Sequence, residues 1–447
     1  MKNAMSRARL TTLPLMMATF FMVSGGPFGL EELFAKAGYR ASFIILILTP
    51  ILWSLPTALL VAELSSAIPD EGGYYVWVRR AMGRFWGFQE AWLSLASSIF
   101  DMAIYPVLFV SYLSRLWPRA GEGANGVWIG IVLIAVCALW NLRGAVSVGR
   151  GSEWLGLLLL SPFAVMVVVV ALRHSAGPAA LVAHPAPDLL GGLTIAMWNY
   201  MGWDNASTIA GEVDNPQRTY PRMIAGAMAI VIALYLVCLG AVARFGIPAS
   251  GWETGSWADA AGAIAGHGLE VCVALSGMIC GLGMFNALTM TFTRIPYAMA
   301  ADGLAPRIFA CTLTNGVPWV SVLVCAAAWM LSLGLSFSRL VLLDILLWGS
   351  SLVLEFLALI ILRFREPDLP RPFRIPGGVA ACIALSVPPT MLVIADFVRN
   401  RGESLGRFSS LDLGLALMAA GPVAYFVLSS RSSVLGSGKR AEAEEGL

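Results

Sequence analysis

The sequence predicts an all-α polytopic membrane protein of twelve transmembrane helices, arranged as a 5+5 inverted repeat with its first and sixth helices broken. Three observations carry this expectation. Of 447 residues, 58% are hydrophobic and 13% charged, with mean hydropathy +0.76, whereas charged residues make up about a quarter of an ordinary soluble chain. Twelve mostly apolar segments approach the roughly 20 residues that a helical span needs. The first and sixth of them carry glycine and proline where a helix should run on.

In order, the segments are 11–30, 41–66, 86–116, 125–142, 153–172, 188–211, 222–245, 267–298, 318–335, 338–362, 376–397 and 410–430. The third and eighth are longest and should tilt. Within the first, Ser24-Gly25-Gly26-Pro27-Phe28-Gly29 cannot hold a helix, because proline removes a donor and glycine is entropically costly there. In lipid such a break survives only where protein or a water-filled cavity covers the freed backbone groups. The sixth segment breaks again at Gly202, within Asn199-Tyr200-Met201-Gly202-Trp203-Asp204-Asn205. Five spans, an odd number, separate the breaks, so the second half runs inverted relative to the first. Paired breaks of this kind point to a transporter's binding site near the midplane. The whole of 1–430 is therefore read as one transmembrane domain. It divides into a first repeat (11–172), a second repeat (188–362) and two extra helices (376–430), followed by a polar, disordered cytoplasmic tail at 431–447.

With the N-terminus inside, 19 of the 29 basic residues fall on inside segments, which puts both termini in the cytoplasm and the protein in the cell membrane. Arg399, Arg401 and Arg407 fall on the other side. Lys2, Arg7 and Arg9 precede an apolar run without a convincing cleavage site, so that run is read as a retained first helix. Two connections look ordered: 67–84, with Tyr74-Tyr75-Val76-Trp77-Val78, as an interfacial helix, and 251–265 as a short helix over the outer mouth.

Composition also excludes classes. A net charge of +2 without a basic run argues against nucleic acid as a partner. There is no Walker-type phosphate loop and no nucleophile–base constellation, so neither ATP-driven transport nor an enzyme is expected. The seven cysteines are scattered in apolar segments and read as small core fillers, with no metal or other cofactor implied. His174, His184 and His267 fall at outer loop ends and read as solvated.

The candidate substrate site gathers at the breaks and on the long central helices. Unwinding exposes backbone groups around Ser24, Gly25, Gly26, Pro27 and Gly29. The carbonyls there suit an ammonium, and N–H groups near Gly29 suit a carboxylate. Asp204 can meet a substrate amine, with Trp203 or Tyr200 stacking on it, or can cap the half-helix that follows. Asp101 lies inside the third span with Tyr105 one turn on, fitting a second ammonium or a bond to a neighbouring helix. Glu355, with Trp348 two turns earlier, and Asp344 are further intramembrane acids. Asn199 belongs to the second break; Asn286 can line the site or bond between helices. Glu63 and Glu212, close to arginines at helix ends, read as gate or structural ion pairs.

Several stretches resemble the amino acid–polyamine–organocation superfamily of permeases. These are Ala62-Glu63-Leu64 with Pro69-Asp70-Glu71-Gly72-Gly73-Tyr74 and Gly83, Gly211-Glu212-Val213-Asp214-Asn215-Pro216, Arg294-Ile295-Pro296-Tyr297 through Pro306, and Arg371-Pro372-Phe373-Arg374-Ile375-Pro376. Ser24 to Gly29 with Glu31, Trp53-Ser54-Leu55-Pro56, Phe85-Trp86-Gly87-Phe88-Gln89 and Tyr105-Pro106-Val107-Leu108-Phe109 resemble its polyamine uptake branch, known from plants. At the second break that branch more often has Trp-Asn before the acid. The resemblance implies a LeuT-type fold and proton-driven import of polyamines or related amines by alternating access. A cationic or neutral amino acid permease, or an exchanger of an amino acid for its amine, is the alternative. The expected partners are a small amine or amino acid, the lipid bilayer, and a proton in preference to sodium. The fifth span lacks the lysine that replaces sodium in some relatives, and no sodium-type hydroxyl cluster is read in the eighth.

Overall fold

The computed structural model describes residues 9–173, 186–399, 404–405, 408–409 and 412–428. Its helices, in chain order, are Thr12–Val23 (α1), Glu31–Thr49 (α2), Leu55–Ala67 (α3), Tyr74–Met82 (α4), Arg84–Leu116 (α5), Asn125–Asn141 (α6), Ala145–Leu172 (α7) and Leu189–Asn199 (α8). They continue with Pro216–Phe245 (α9), Ser256–Ala265 (α10), His267–Phe292 (α11), Arg294–Ala301 (α12), Trp319–Trp329 (α13), Phe337–Arg365 (α14), Gly378–Arg399 (α15) and Asp412–Leu428 (α16). Among the described residues, strand structure is confined to a two-residue antiparallel pair, Ser404–Leu405 with Phe408–Ser409, and an isolated bridge between Leu10 and Val213.

Seven helical stretches are long and apolar enough to cross a membrane: Glu31–Ala67, Arg84–Leu116, Ala145–Leu172, Pro216–Phe245, His267–Ala301, Arg339–Arg365 and Gly378–Arg399. Five shorter apolar helices accompany them: Thr12–Val23, Asn125–Asn141, Leu189–Asn199, Trp319–Ser332 and Asp412–Leu428. Each of the twelve expected segments holds one of these, with shifted limits. The fifth helix begins at Ala145 and the seventh at Pro216, earlier than the expected 153 and 222, because polar turns continue the helix past its apolar portion. Pro216 suits a first helical position, where its missing N–H costs nothing.

Both interruptions are present. α1 stops at Val23 and the chain restarts at Glu31, with Gly25 at φ 58° and Gly26 at φ 114°, conformations that a Cβ disfavours. Glu31 and Glu32 then sit in the first turn of α2, where the helix dipole favours negative charge. α8 stops at Asn199, and a 3₁₀ stretch, Asn205–Glu212, follows Gly202. A third irregularity was not expected from the sequence: α2 and α3 are joined by a π-helical turn, Pro50–Ser54.

The 67–84 connection differs from the expectation. α4 is not laid on a surface; Tyr74, Tyr75, Trp77 and Val78 are all buried, and the helix packs against α5 and α14. These rings remove too much apolar area from solvent to be left on an open face. The backbone of Gly72 donates to the Thr208 carbonyl (2.9 Å), which ties α4 to the segment after the second break. The 251–265 stretch does contain a helix, α10, and its Trp257 indole donates to the Pro27 carbonyl at 2.9 Å. α10 therefore clamps the first break. All seven cysteines are free; Cys272 and Cys311 are exposed and the other five buried. His174, His184, the tail at 431–447, Arg401 and Arg407 lie outside the described residues.

The two breaks touch. Gly202 has φ 92°, and a Cβ there would lie 2.8 Å from the Met22 carbonyl oxygen, a backbone atom that cannot turn away. Gly202→Ala should therefore cost about 1–3 kcal/mol. Its thermal unfolding midpoint in detergent is expected below that of the unsubstituted protein. Gly240→Ala, at a helical position with open space around it, should leave the midpoint level or slightly raised. Equal midpoints for Gly202→Ala and the unsubstituted protein would contradict this packing.

Candidate functional site

α5 and α14 pack side by side and present two polar stripes to one another. On α5 the stripe is Glu90, Ser94, Asp101 and Tyr105; on α14 it is Asp344, Trp348, Ser351 and Glu355. Steps of three, four and seven residues keep each set on one helix face. The Tyr105 hydroxyl donates to Asp101 Oδ1 at 2.6 Å, and the Trp198 indole of α8 also reaches that carboxylate. Ser94 and Ser351 hydroxyls meet at 3.2 Å, and Ser351 donates to Glu90 Oε1. The Trp348 indole donates to Asp204 Oδ2 at 3.2 Å.

What these acids lack is a cation. Asp101, Asp204, Asp344, Glu355 and Glu90 are all buried. Among the described residues none of them forms an ion pair. Both oxygens of Asp344 and of Glu355, Asp204 Oδ1 and Glu90 Oε2 have no hydrogen-bond partner. Asp204 and Glu355 come within hydrogen-bonding reach of each other, a contact favourable only with a proton or another cation between them. The buried arginines are engaged elsewhere. Arg363 forms a forked pair with Glu63 (2.6 and 2.5 Å), Arg371 stands 3.2 Å from the same carboxylate, and Arg294 pairs with Glu212 at 2.8 Å. At this arginine end Glu366, outside the spans, is held below the usual carboxylate range by hydrogen bonds from Arg80 at 2.9 and 2.6 Å.

A small cavity lies between the breaks and the acid stripes. Its walls include Met22, Val23, Gly202, Asn205, Met284 and Phe292, together with Asp101, Tyr105, Trp198, Asp344 and Trp348. About 10 Å³ of it is free to the centre of a water molecule, room for about one water. A larger recess of about 490 Å³ opens at the arginine end, between Arg9, Arg143, Glu71 and Glu212. It mixes both signs of charge and holds none of the unpartnered acids, so the smaller cavity is the candidate site.

The predicted residues divide accordingly. Asp101, Tyr105 and Gly202 line the cavity, and so do Asp344 and Trp348. Ser24, Gly25, Gly26, Pro27 and Gly29 are not among its lining residues. Ser24 bonds Gly26, and the Gly29 N–H donates to Glu31 Oε2 at 2.6 Å, so the donor foreseen for a substrate carboxylate is already engaged. Tyr200 and Trp203 turn into packing: the Tyr200 hydroxyl donates to the Leu46 carbonyl (3.1 Å) and the Trp203 indole to the Tyr200 carbonyl (2.9 Å). Asn199 donates to the Ile195 carbonyl, and Asn286 accepts from Asn141 at 2.8 Å between helices. The Asp204 side chain makes no cap for the half-helix after it. Glu63 and Glu212 form the ion pairs described above. Thr289 and Thr291 of α11, and Thr293 just after it, are buried, each hydroxyl donating to a carbonyl of α11.

Glu90 and Trp198 were missed. Glu90 lies three turns from Asp101 on the same helix face, a spacing readable in the sequence. Glu31 was noticed only as part of a motif; it clamps the first break to Tyr112, Gly29 and Gly255.

Comparison with known proteins gives a family. A profile described as "Amino acid permease" matches residues 16–408. Polyamine transporter PUT1 of Oryza sativa subsp. japonica is 36% identical over 389 residues, covering 87% of this chain and 73% of the relative. Polyamine transporter RMV1 of Arabidopsis thaliana is 34% identical, covering 92% of this chain and 84% of the relative. More distantly, the serine/threonine exchanger SteT of Bacillus subtilis (strain 168) is 26% identical, over 72% of this chain and 75% of its own length.

Glu63 gives a test of the arginine end. Glu63→Gln would leave Arg363 and Arg371 without their shared carboxylate, and removing one partner of a buried pair costs about 3–5 kcal/mol. The variant should elute as an aggregated or early-melting species in fluorescence-monitored gel filtration. Unchanged elution and melting would mean that the arginines find other partners.

Proposed function

Because the chain belongs to the amino acid permease family of the amino acid–polyamine–organocation superfamily, we propose that this transporter imports polyamines or related small amines. It does so as a proton-coupled secondary transporter working by alternating access. One observation carries the reading: a core of buried carboxylates with no cation of their own, around a cavity between two helix breaks. A carboxylate held in lipid without a partner is expensive, and an organic ammonium entering the cavity would offset that cost. Asp101, oriented by Tyr105, holds one ammonium, and Asp344 across the cavity receives the other end of a short diamine. Asp204 lies behind Trp348. Trp198 and Trp348 offer ring faces to the cation, a contact worth about 0.5–2 kcal/mol. The names of the rice and Arabidopsis relatives favour the same cargo.

The twelve-span reading with paired 5+5 repeats, two added helices and both termini in the cytoplasm belongs to this proposal. In it the arginine end is cytoplasmic, and the ion pairs Glu63–Arg363 and Glu212–Arg294 belong to the inner closure. Rocking of one bundle against the other would expose the cavity to each side in turn. A neutral amino acid fits less well: its carboxylate would have to displace Glu31 from the Gly29 N–H. The acids beside the cavity are the candidates to carry the proton.

Labelled putrescine uptake into proteoliposomes with an imposed pH gradient tests the reading. Uptake should be competed by spermidine, resist leucine, collapse with a proton uncoupler, and fall at least tenfold in Asp101→Asn. Competition by leucine but not by polyamines would reassign the cargo to neutral amino acids and the interior acids to structure. Uptake indifferent to the uncoupler and to external pH would remove the proton from the mechanism.

A further inference from the structure

The acid stripes run deeper than the cavity. Asp101 and Glu90 are eleven residues apart on α5, and Asp344 and Glu355 are eleven residues apart on α14. At 1.5 Å per residue each interval is about 16 Å along the helix axis. The helices are antiparallel at this contact: Asp101 and Asp344 share the cavity wall, while Glu90, Ser94 and Ser351 are joined at the other level. Two acid pairs therefore stand at two depths, with Asp204 and the Trp348 indole between them.

Only the outer pair faces the cavity. The deeper pair does not line it: Glu90 Oε2 is unpartnered, and Glu355 meets only another carboxylate, that of Asp204. A different element supplies an independent sign of a ligand there. Tyr74 of α4 is 1% exposed, on a helix that packs against both α5 and α14. Its hydroxyl has no hydrogen-bond partner. A phenol oxygen, serine hydroxyls and carboxylates on three elements make an all-oxygen cluster. The complementary ligand is a protonated amine, which donates in several directions to such oxygens.

We propose that Glu90, Glu355 and Tyr74 form a second ammonium subsite, about three helical turns below the first, through which the transporter favours long linear polyamines over short diamines. This rests on the amine-transport reading above. A diamine of four carbons reaches only the Asp101–Asp344 level. An extended linear tetra-amine is of comparable length to the interval between the levels, so its far ammonium reaches Glu90 and Glu355 while its inner amines pass Asp204. Trp348, between the two levels, must turn aside for the longer chain.

The test is displacement of labelled putrescine from the purified, detergent-solubilised protein by unlabelled putrescine and spermine, with Glu90→Gln and Tyr74→Phe beside the unsubstituted protein. The spermine-to-putrescine affinity ratio should fall at least tenfold in Glu90→Gln and by a smaller factor in Tyr74→Phe. Asp101→Asn should weaken both ligands together. An unchanged ratio in both variants overturns the subsite. So does equal weakening of both ligands with a flattened pH profile of binding, which would make the deeper acids a proton site. If Glu90→Gln fails to yield a monodisperse protein, the Tyr74→Phe ratio decides. Binding of neither amine by the unsubstituted protein would instead bring down the amine reading itself.

Discussion

Buried carboxylates left without a cation in the middle of the bundle are the constraint to which the other features answer. Burying an ion costs several kcal/mol even after the surroundings relax, and one pair can offset this only with good geometry and further hydrogen bonds. At the arginine end the chain meets that requirement, with Glu63 forked onto Arg363 and Glu212 onto Arg294. In the middle it supplies only neutral donors: the Tyr105 hydroxyl to Asp101, the Ser351 hydroxyl to Glu90, the Trp348 indole to Asp204. Donors of that kind orient a carboxylate without cancelling its charge. The imbalance is local, since the whole chain carries a net charge of +2. In the proposed function a cationic cargo completes what the protein leaves open.

The breaks set where such a cargo would sit. Gly202 approaches the Met22 carbonyl so closely that the end of α1 and the turn after α8 share one contact, which allows the two interruptions to face a common cavity. From the other side α10 closes over the first break, its Trp257 indole on Pro27 and the N–H of Gly255 on Glu31. Glu31 in turn receives Gly29 and the Tyr112 hydroxyl of α5. The backbone freed by the first break is thus satisfied largely from within the protein, leaving the side-chain acids to meet the ligand. The cavity itself is small, with room for about one water.

Much of this architecture was legible. Hydropathy located the helices because lipid permits few other structures, and Ser24 to Gly29 and Gly202 announced the breaks through residues that no continuous helix accommodates. Asp101 and Tyr105 could be paired from their spacing of four. What could not be read was direction. Tyr200 and Trp203 sit in the second break, yet their polar atoms go to carbonyls at Leu46 and at Tyr200 itself, and both rings are buried in packing. Asn286 faces Asn141, a partner 145 residues away that no local pattern reveals. The aromatic run at Tyr74 to Val78 was taken for a surface helix because it is too short to span, but shortness says nothing about burial between longer helices. Glu90 shares a face with Asp101, but its serine partner Ser351 lies 261 residues away, beyond any local pattern.

The most direct measurement is an experimentally determined structure, by crystallography or electron cryomicroscopy, with a saturating linear diamine. The account predicts density in the cavity between the breaks, with one ammonium about 2.7–2.9 Å from the Asp101 carboxylate, the other end toward Asp344, and the Trp198 ring alongside. An amine bound only in the recess between Arg9 and Glu212, or an empty central cavity in protein that binds the diamine, would contradict it.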